Sequence, residues 1–298
     1  GGTTKEAKQQ ATFTTPSPCR RRKRPQKAGA GGFEASLHPQ DAIWPDDGSV
    51  PVGDKRHRGK GLFAIDTVNG DAWPKAREHC CQTAADIVCI QEARITLAEK
   101  ADIESTMGAT GWSMSIGVCG IGPKGGKSAG VVVAARARIG MAEADPVSRT
   151  KHLQDVGRFG MQHIGAVGKG GFHLDSIYLY HTIGARAKAN LDLLETVSWT
   201  LAGLKGPWCI GGDWNCAPAQ LEHTGWLKKV GGVIHAPSAP TCNESTYDFF
   251  VVSASVSDRV HSCVVIGDAG MTPHSPARLL FKGTPRKTMV RAIRAPQS

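Results

Sequence analysis

The 298-residue sequence predicts an α/β fold in which two β-sheets are stacked and helices cover their outer faces. Three observations predict it. Short apolar runs rich in Val, Ile, Phe and Tyr, bounded by Gly, Asp, Asn or Pro, recur from residue 62 to 281 and read as strands. Stretches with helical spacing are few by comparison. In "DIVCI" and "GVVVAA" the apolar residues are consecutive, as in strands covered on both faces. Such sheets need a further layer outside them.

In chain order, residues 1–59 read as a disordered basic arm, rich in Gly, Ser, Thr, Gln and Pro and without apolar periodicity. Within it "CRRRKRPQK" carries Arg20, Arg21, Arg22, Lys23 and Arg24. That run is read as a nuclear import signal or nucleic-acid-binding arm, or equally as a solvated charge run. The folded domain is expected over 60–282, with 283–298 as a basic tail or linker. Strands are expected at 62–68, 86–91, 112–118, 130–136, 159–167, 172–182, 207–211, 247–253, 260–266 and 276–281. In "FHLDSIYLYHT" the alternation puts Phe172, Leu174, Ser176, Tyr178 and Tyr180 on one face. A helix is expected over 73–84, with Asp71 placed to cap it. A second, 187–203, carries Leu191, Leu194, Val197 or Ser198, and Leu201 at helical spacing and ends at Gly203. A short third helix starts at Pro218.

Charge and cysteine content narrow the function classes. The net charge is +10, yet residues 1–60 hold 12 Lys/Arg against 6 Asp/Glu, and 282–298 hold 5 Lys/Arg and no acid. The centre is therefore close to neutral, and the basicity speaks for tails that touch a polyanion. No apolar run approaches the roughly 20 residues of a membrane span, and no amphipathic membrane helix is seen, so no membrane partner is expected. The nine cysteines form no CxxC pair and read as free thiols in a reducing compartment, the nucleus or the cytoplasm. No secretory signal is visible. The chain starts with Gly, as a processed chain or fragment would.

Polar residues stand at strand ends: Asn69, Glu92, Tyr180, His181, Asp213, Asn215, Asp248 and His274. In "IGGDWNCAP", Asp213 and Asn215 are two apart, so an extended segment would turn both to one cleft. The two preceding glycines would let the backbone bend and a ligand approach. Singly, each polar residue also fits a bland role as a turn residue, a strand-end acid or a satisfied histidine.

Together, "FAIDTVNGDAW", "ADIVCIQEARI", "AGVVVAAR", "SIYLYHTIG", "IGGDWNCAP", "PTCNESTYDFFVVS" and "PHSPARLLF" resemble the endonuclease/exonuclease/phosphatase superfamily. The likeness is to its AP-endonuclease-like branch, nearest to the endonucleases of non-LTR (LINE-type) retrotransposons. The resemblance implies a four-layer, DNase I-like α/β sandwich of two mixed sheets flanked by helices. It implies a Mg²⁺- or Mn²⁺-dependent phosphodiesterase acting on DNA, or on RNA, with a downstream reverse transcriptase in the full-length polyprotein. By the same resemblance, Glu92 holds the metal with help from Asn69. Asp213 orients or deprotonates the attacking water. Asn215 and Tyr180 contact the phosphate, and Asp248 fixes the His274 ring on it. These residue types suit the chemistry. Mg²⁺ takes hard oxygen donors and keeps several waters. A carboxylate can accept the proton of water, and an imidazole held by an acid favours the cation.

Two positions depart from the superfamily pattern. Thr67 stands where an amide is usual, and is expected to donate a shorter hydrogen bond toward the phosphate. Pro273 stands where an acid normally precedes the histidine, removing a carboxylate and an N–H. Both bear on activity, so a nuclease-fold module that binds nucleic acid without cutting it is the competing reading, beside an RNA nuclease or phosphoinositide phosphatase of the same superfamily. The glycine-rich segment 119–129, with Lys124 and Lys127, reads as a flexible hairpin connection or as a loop riding on phosphates.

Overall fold

A computed structural model describes residues 49–122, 125–144 and 156–283. The stretch Arg20–Arg24, Lys124 and the tail from 284 lie outside the described residues.

Strand β1 (Leu62–Asn69) is buried along its whole length and lies between β14 (Ala277–Lys282) and β2 (Ile87–Gln91). With β13 (Val260–Val265), β6 (Val132–Arg136) and β3 (Trp112–Ile116) they form one sheet in the order β13-β14-β1-β2-β6-β3. The second sheet runs β11-β12-β10-β9-β8-β7. Its strands are β7 (Met141–Glu143), β8 (Phe159–Ile164), β9 (Phe172–Tyr178), β10 (Trp208–Asp213), β11 (Gly232–His235) and β12 (Asp248–Ser253). Both sheets are mixed: β1–β2 and β9–β10 are parallel, and their neighbours antiparallel. Parallel neighbours need a crossover. Helix α2 (Trp73–Gln82) provides it for the first pair and α4 (Lys188–Ala202) for the second.

The sheets pack through Phe63, Ile65, Ile87 and Cys89 on one side and Phe172, Leu174, Cys209 and Phe250 on the other. Each such large side chain removed from water contributes about 1.5–3 kcal/mol. Outside the first sheet, α2 and α3 (Leu97–Ala109) cover Val68, Val88, Ile90 and Leu280. Outside the second, α4, α5 (Pro218–Glu222) and α6 (Trp226–Val230) cover Ile177, Ile210 and Phe249. The result is the four-layer sandwich the sequence predicts.

Several local expectations change. The fold does not start at 60. Val50 and Val52 are buried, the Val52 N–H donates to Asp268 Oδ1 at 2.5 Å, and His57 of the short α1 (Arg56–Gly59) is fully buried. Asp71 does not cap α2: its φ is +52°, and the N-cap is Ala72 in extended conformation. Helix α3 has no counterpart in the sequence reading because Met107 is its sole fully buried side chain, leaving no apolar stripe. A local polar pair marks its start instead, as the Thr96 N–H donates to Glu99 Oε2 at 2.8 Å. Within the 119–129 segment, β4 (Gly120–Ile121) pairs with β5 (Lys127–Ser128).

A buried ion pair ties the outer face of the first sheet to α2. Arg278 Nε meets Asp66 Oδ1 at 2.7 Å, and His79 and Thr83 contact Oδ2 at 3.0 and 2.6 Å. Burial opposes the Asp66 anion, but Arg278 and His79 outweigh it and hold its carboxyl well below the usual range.

Candidate active site

The two parallel pairs bring four strand ends to one edge of the sandwich, and the registers make them meet. Asn69 lies opposite Gln91, and Asp213 is flanked by Tyr178 and Asp248. A pocket of about 290 Å³ opens there, lined by Asn69, Glu92, Arg94, Lys127, Ser128, Tyr178, His181, Asp213, Asn215 and His274.

Glu92 reaches the pocket by leaving the strand. Gln91 is still in register and points inward, its Nε2 donating to Ser176 Oγ at 2.9 Å. Glu92 then takes φ +51° and Arg94 φ +50°. Such left-handed positions are costly for long side chains, by about 1–3 kcal/mol each, and they cluster at sites under functional constraint. Backbone bonds hold the turn: the Ala93 N–H donates to the Gly130 carbonyl at 2.9 Å and the Arg94 N–H to Ala129 at 3.0 Å. The Glu92 carboxylate accepts from the Tyr178 hydroxyl, from Arg94 at 2.5 Å and from Asn69 Nδ2 at 3.4 Å. Burial raises its pKa, yet these donors prevail and keep it ionised. Arg94 also bonds Asp71 at 3.2 Å.

Asp213 and Asn215 do face one pocket, but not through extended alternation. The strand ends at Asp213, and Asn215 turns back at φ +47°. Between them Trp214 points the other way, stacked on Phe249 at 5.3 Å with its indole N–H on the Phe249 carbonyl at 3.0 Å. The Asn215 N–H donates to Asp213 Oδ1 at 3.0 Å, and its side-chain amide to the Leu179 carbonyl at 3.0 Å. The glycines serve packing within the protein rather than a ligand. A Cβ on Gly212 would lie 2.3 Å from Ile177 Cγ2, and one on Gly211 2.8 Å from the Phe250 ring.

Asp213, Asp248 and His274 form a compact group whose polar atoms lie within 4.8 Å of one another. Asp248 is fully buried and its Oδ2 holds His274 Nδ1 at 2.8 Å. Burial disfavours the imidazolium, but Asp248, Asp213 and Glu92 together lift the His274 pKa to about 9. The ring is therefore a cation at neutral pH. Asp213 is 1 % exposed. Burial, then the Asp248 charge, push its pKa up to about 7, against the pull of His274, Asn69 and the Asn215 N–H. A buried carboxylate poised there can accept a proton near neutrality.

Two of the expected contacts are placed elsewhere. Tyr180 lies past the end of β9, where alternation no longer applies, and its ring packs on Arg158 at 3.7 Å. Tyr178 faces the pocket instead, in step with Ser176 as the alternation allows. Thr67 is fully buried, its hydroxyl 3.2 Å from Gln91 Nε2, and does not reach the pocket. Lys124 lies outside the described residues, while Lys127 lines the pocket and pairs with Glu99 at 2.9 Å. Pro273 is exposed beside His274 and is not among the pocket-lining residues. Sequence reasoning missed Tyr178, Arg94 and Ser128 as lining residues, and named His181 only as a polar strand-end residue. "EAR" and "YLYH" held a signal for Arg94 and Tyr178, in being polar groups next to strand ends already singled out.

The donor set suits a hard divalent cation. Asn69 Nδ2 donates to Asp213 Oδ2 at 2.8 Å, which joins Glu92, Asn69 and Asp213 in one oxygen-rich corner. Glu92, partly exposed toward the pocket, is the carboxylate that would hold such an ion, with Asn69 beside it. Beside it, Asp213, Asp248 and His274 bring further ligand-type atoms within 4.8 Å of one another, with His274 Nδ1 held by Asp248.

The family model for endonucleases, exonucleases and phosphatases matches residues 68–288. No curated protein matches. Among solved structures, the endonuclease domain of TRAS1, a telomere-specific non-LTR retrotransposon, is 15% identical with TM-score 0.55, covering 74% of this chain and 98% of that one. An AP endonuclease from Archaeoglobus fulgidus is 13% identical with TM-score 0.53, covering 74% and 99%. A Neisseria 3′ phosphatase, NExo, bound to product DNA hairpin is 13% identical with TM-score 0.52, covering 74% and 99%. At these identities the likeness is one of fold.

Proposed function

The chain belongs to the endonuclease/exonuclease/phosphatase family, and on that premise we propose that it is a Mg²⁺-dependent phosphodiesterase that nicks DNA and leaves a 3′-hydroxyl. One observation carries the reading. Asn69 from the end of β1, Glu92 from the end of β2, Asp213 and Asn215 from the end of β10 and His274 from the loop before β14 meet at one pocket, with an ionised carboxylate, one whose pKa is raised to about 7 and an imidazolium side by side. The likeness in fold to the TRAS1 endonuclease domain and to the DNA-bound Neisseria enzyme supports it. In this reading the nick primes a downstream reverse transcriptase, Arg20–Arg24 and the C-terminal tail meet nucleic acid, and the protein works in the nucleus.

The residues divide the work. Asp213 takes the proton of the attacking water. His274, held as a cation by Asp248, faces the charge that develops on the phosphate. Asn215 adds neutral polar contact from its turn. A divalent cation on Glu92 supplies charge neutralisation to the phosphate when bound. Thr67, sealed behind Gln91, takes no direct part. Loss of the acid at Pro273 weakens metal binding without abolishing it.

The test is plasmid nicking with Mg²⁺, Mn²⁺ or chelator, beside Asp213→Ala and His274→Ala. We expect metal-dependent nicking, reduced by roughly 10²–10⁴-fold in Asp213→Ala and strongly in His274→Ala. Nicking equal in wild type and variants, or none in wild type, overturns the reading in favour of a module that binds without cutting.

A further inference from the structure

We propose that Arg158 is a positioning residue for this site: its guanidinium fixes the Tyr178 hydroxyl on Glu92 and so sets the affinity of that carboxylate for a divalent cation. The proposal rests on the reading of Glu92 as the metal-binding acid.

Arg158 is 7 % exposed and does not line the pocket. Its contacts converge on the end of β9. The guanidinium lies 4.7 Å from the Tyr178 ring centre and 3.7 Å from that of Tyr180. Nη1 donates to the carbonyls of Tyr178 and Leu179 at 3.2 and 3.3 Å, and the Tyr178 N–H returns a bond to the Arg158 carbonyl at 3.0 Å. One planar group therefore grips both the ring and the backbone of Tyr178. A flat cation that stacks and donates at once does what a lysine ammonium cannot. The Leu179 carbonyl that Arg158 holds also accepts the Asn215 side-chain amide at 3.0 Å. The same grip thus reaches Asn215.

The approach of Arg158 is itself enforced. Gly157, at φ +65°, presses on Gly130, and a Cβ there would meet the Val118 carbonyl at 2.4 Å. The Gly130 N–H donates to the Gly157 carbonyl at 2.9 Å, and the Gly130 carbonyl anchors Ala93 beside Glu92. The turn that presents Arg158 and the turn that presents Glu92 are therefore locked to one another. Partners that orient a metal-binding group typically affect metal affinity by roughly 10–100-fold.

The experiment uses the full chain and two readouts. Binding of Mn²⁺ is followed through the electron paramagnetic resonance signal of the free ion. The chain has three tyrosines, so 3-fluorotyrosine labelling gives few enough ¹⁹F resonances to assign Tyr178 by its loss in Tyr178→Phe. We expect Arg158→Met to weaken Mn²⁺ binding by roughly tenfold or more, with no further loss when combined with Tyr178→Phe. We also expect the Tyr178 resonance to shift on Glu92→Gln in wild type and not in the Arg158→Met background. Arg158→Lys, which keeps the buried charge, replaces Arg158→Met in both readouts if the latter does not fold. Lower thermal stability with unchanged Mn²⁺ affinity, or an equal Glu92→Gln shift in both backgrounds, overturns the proposal. If Glu92→Gln leaves Mn²⁺ binding untouched, the metal reading fails, and the ¹⁹F readout still decides whether Arg158 places Tyr178 on Glu92.

Discussion

Asp175 should make this protein less stable as the pH rises above about 4, and Asp175→Asn should remove that dependence. The residue is fully buried on β9, and neither carboxylate oxygen has a hydrogen-bond partner. By register it lies beside Met161 and Ile210, on the face that carries Ile177 into the apolar layer under α4. Burial alone raises its pKa well above the ordinary value of 3.8. A folded pKa above the unfolded one means that the native state binds the extra proton. Stability is then full below the unfolded value and is lost as the pH climbs toward the folded one, by about 1.4 kcal/mol per pH unit. Asn cannot ionise and leaves a similar buried amide, so other titrating groups cancel when the two proteins are compared. As the pH rises above about 4 toward the folded pKa, the advantage of the variant should widen by about 1.4 kcal/mol per pH unit, or roughly 3–5 °C in melting temperature for a domain of this size. Urea unfolding of both proteins at each pH measures it. A difference that stays constant as the pH rises above about 4 would refute the reasoning, because it would mean that Asp175 finds a partner or water in the folded state.

Three further outcomes are expected. Arg278→Met should destabilise by about 3–5 kcal/mol, because Asp66 is left as a buried charge. In wild type the depressed Asp66 pKa contributes stability above the unfolded value that is lost as the pH falls through it, so the variant should show a shallower acid limb in denaturant titrations. Gly212→Ala should cost about 1–3 kcal/mol through overpacking and abolish nicking, since the clash with Ile177 lies one residue from Asp213; a stable, active variant would show that β9 yields. Tyr178→Phe should raise the Mg²⁺ concentration needed for nicking by roughly tenfold. Tyr180→Phe should leave it unchanged, because its ring still packs on Arg158.

Most strand segments and the polar strand ends were legible because they are local. Apolar runs bounded by turn residues identify strands whatever they pair with, and Glu92, Asp213, Asp248 and His274 stand out where such runs stop. Helix α3 was not legible, because a helix that buries so little leaves no periodic stripe and announces itself through one polar pair at its start. The turn at Glu92 was not legible either, since a long side chain gives no sign of a left-handed backbone; Asn215 is a type that adopts it more readily, but the sequence reading took it as extended.

The sequence by itself determined which chemical groups end the strands, since side-chain identity and apolar rhythm need no tertiary contact. Only the tertiary structure decided how they are used. It gave Tyr178 the pocket and Tyr180 to Arg158, sealed Thr67 behind Gln91, and assigned the two glycines to Ile177 and Phe250 rather than to a ligand. It also set Asp213 near neutrality and His274 as a cation. Those outcomes depend on burial and on charges brought together from strands distant in the chain, and no local pattern carries that information.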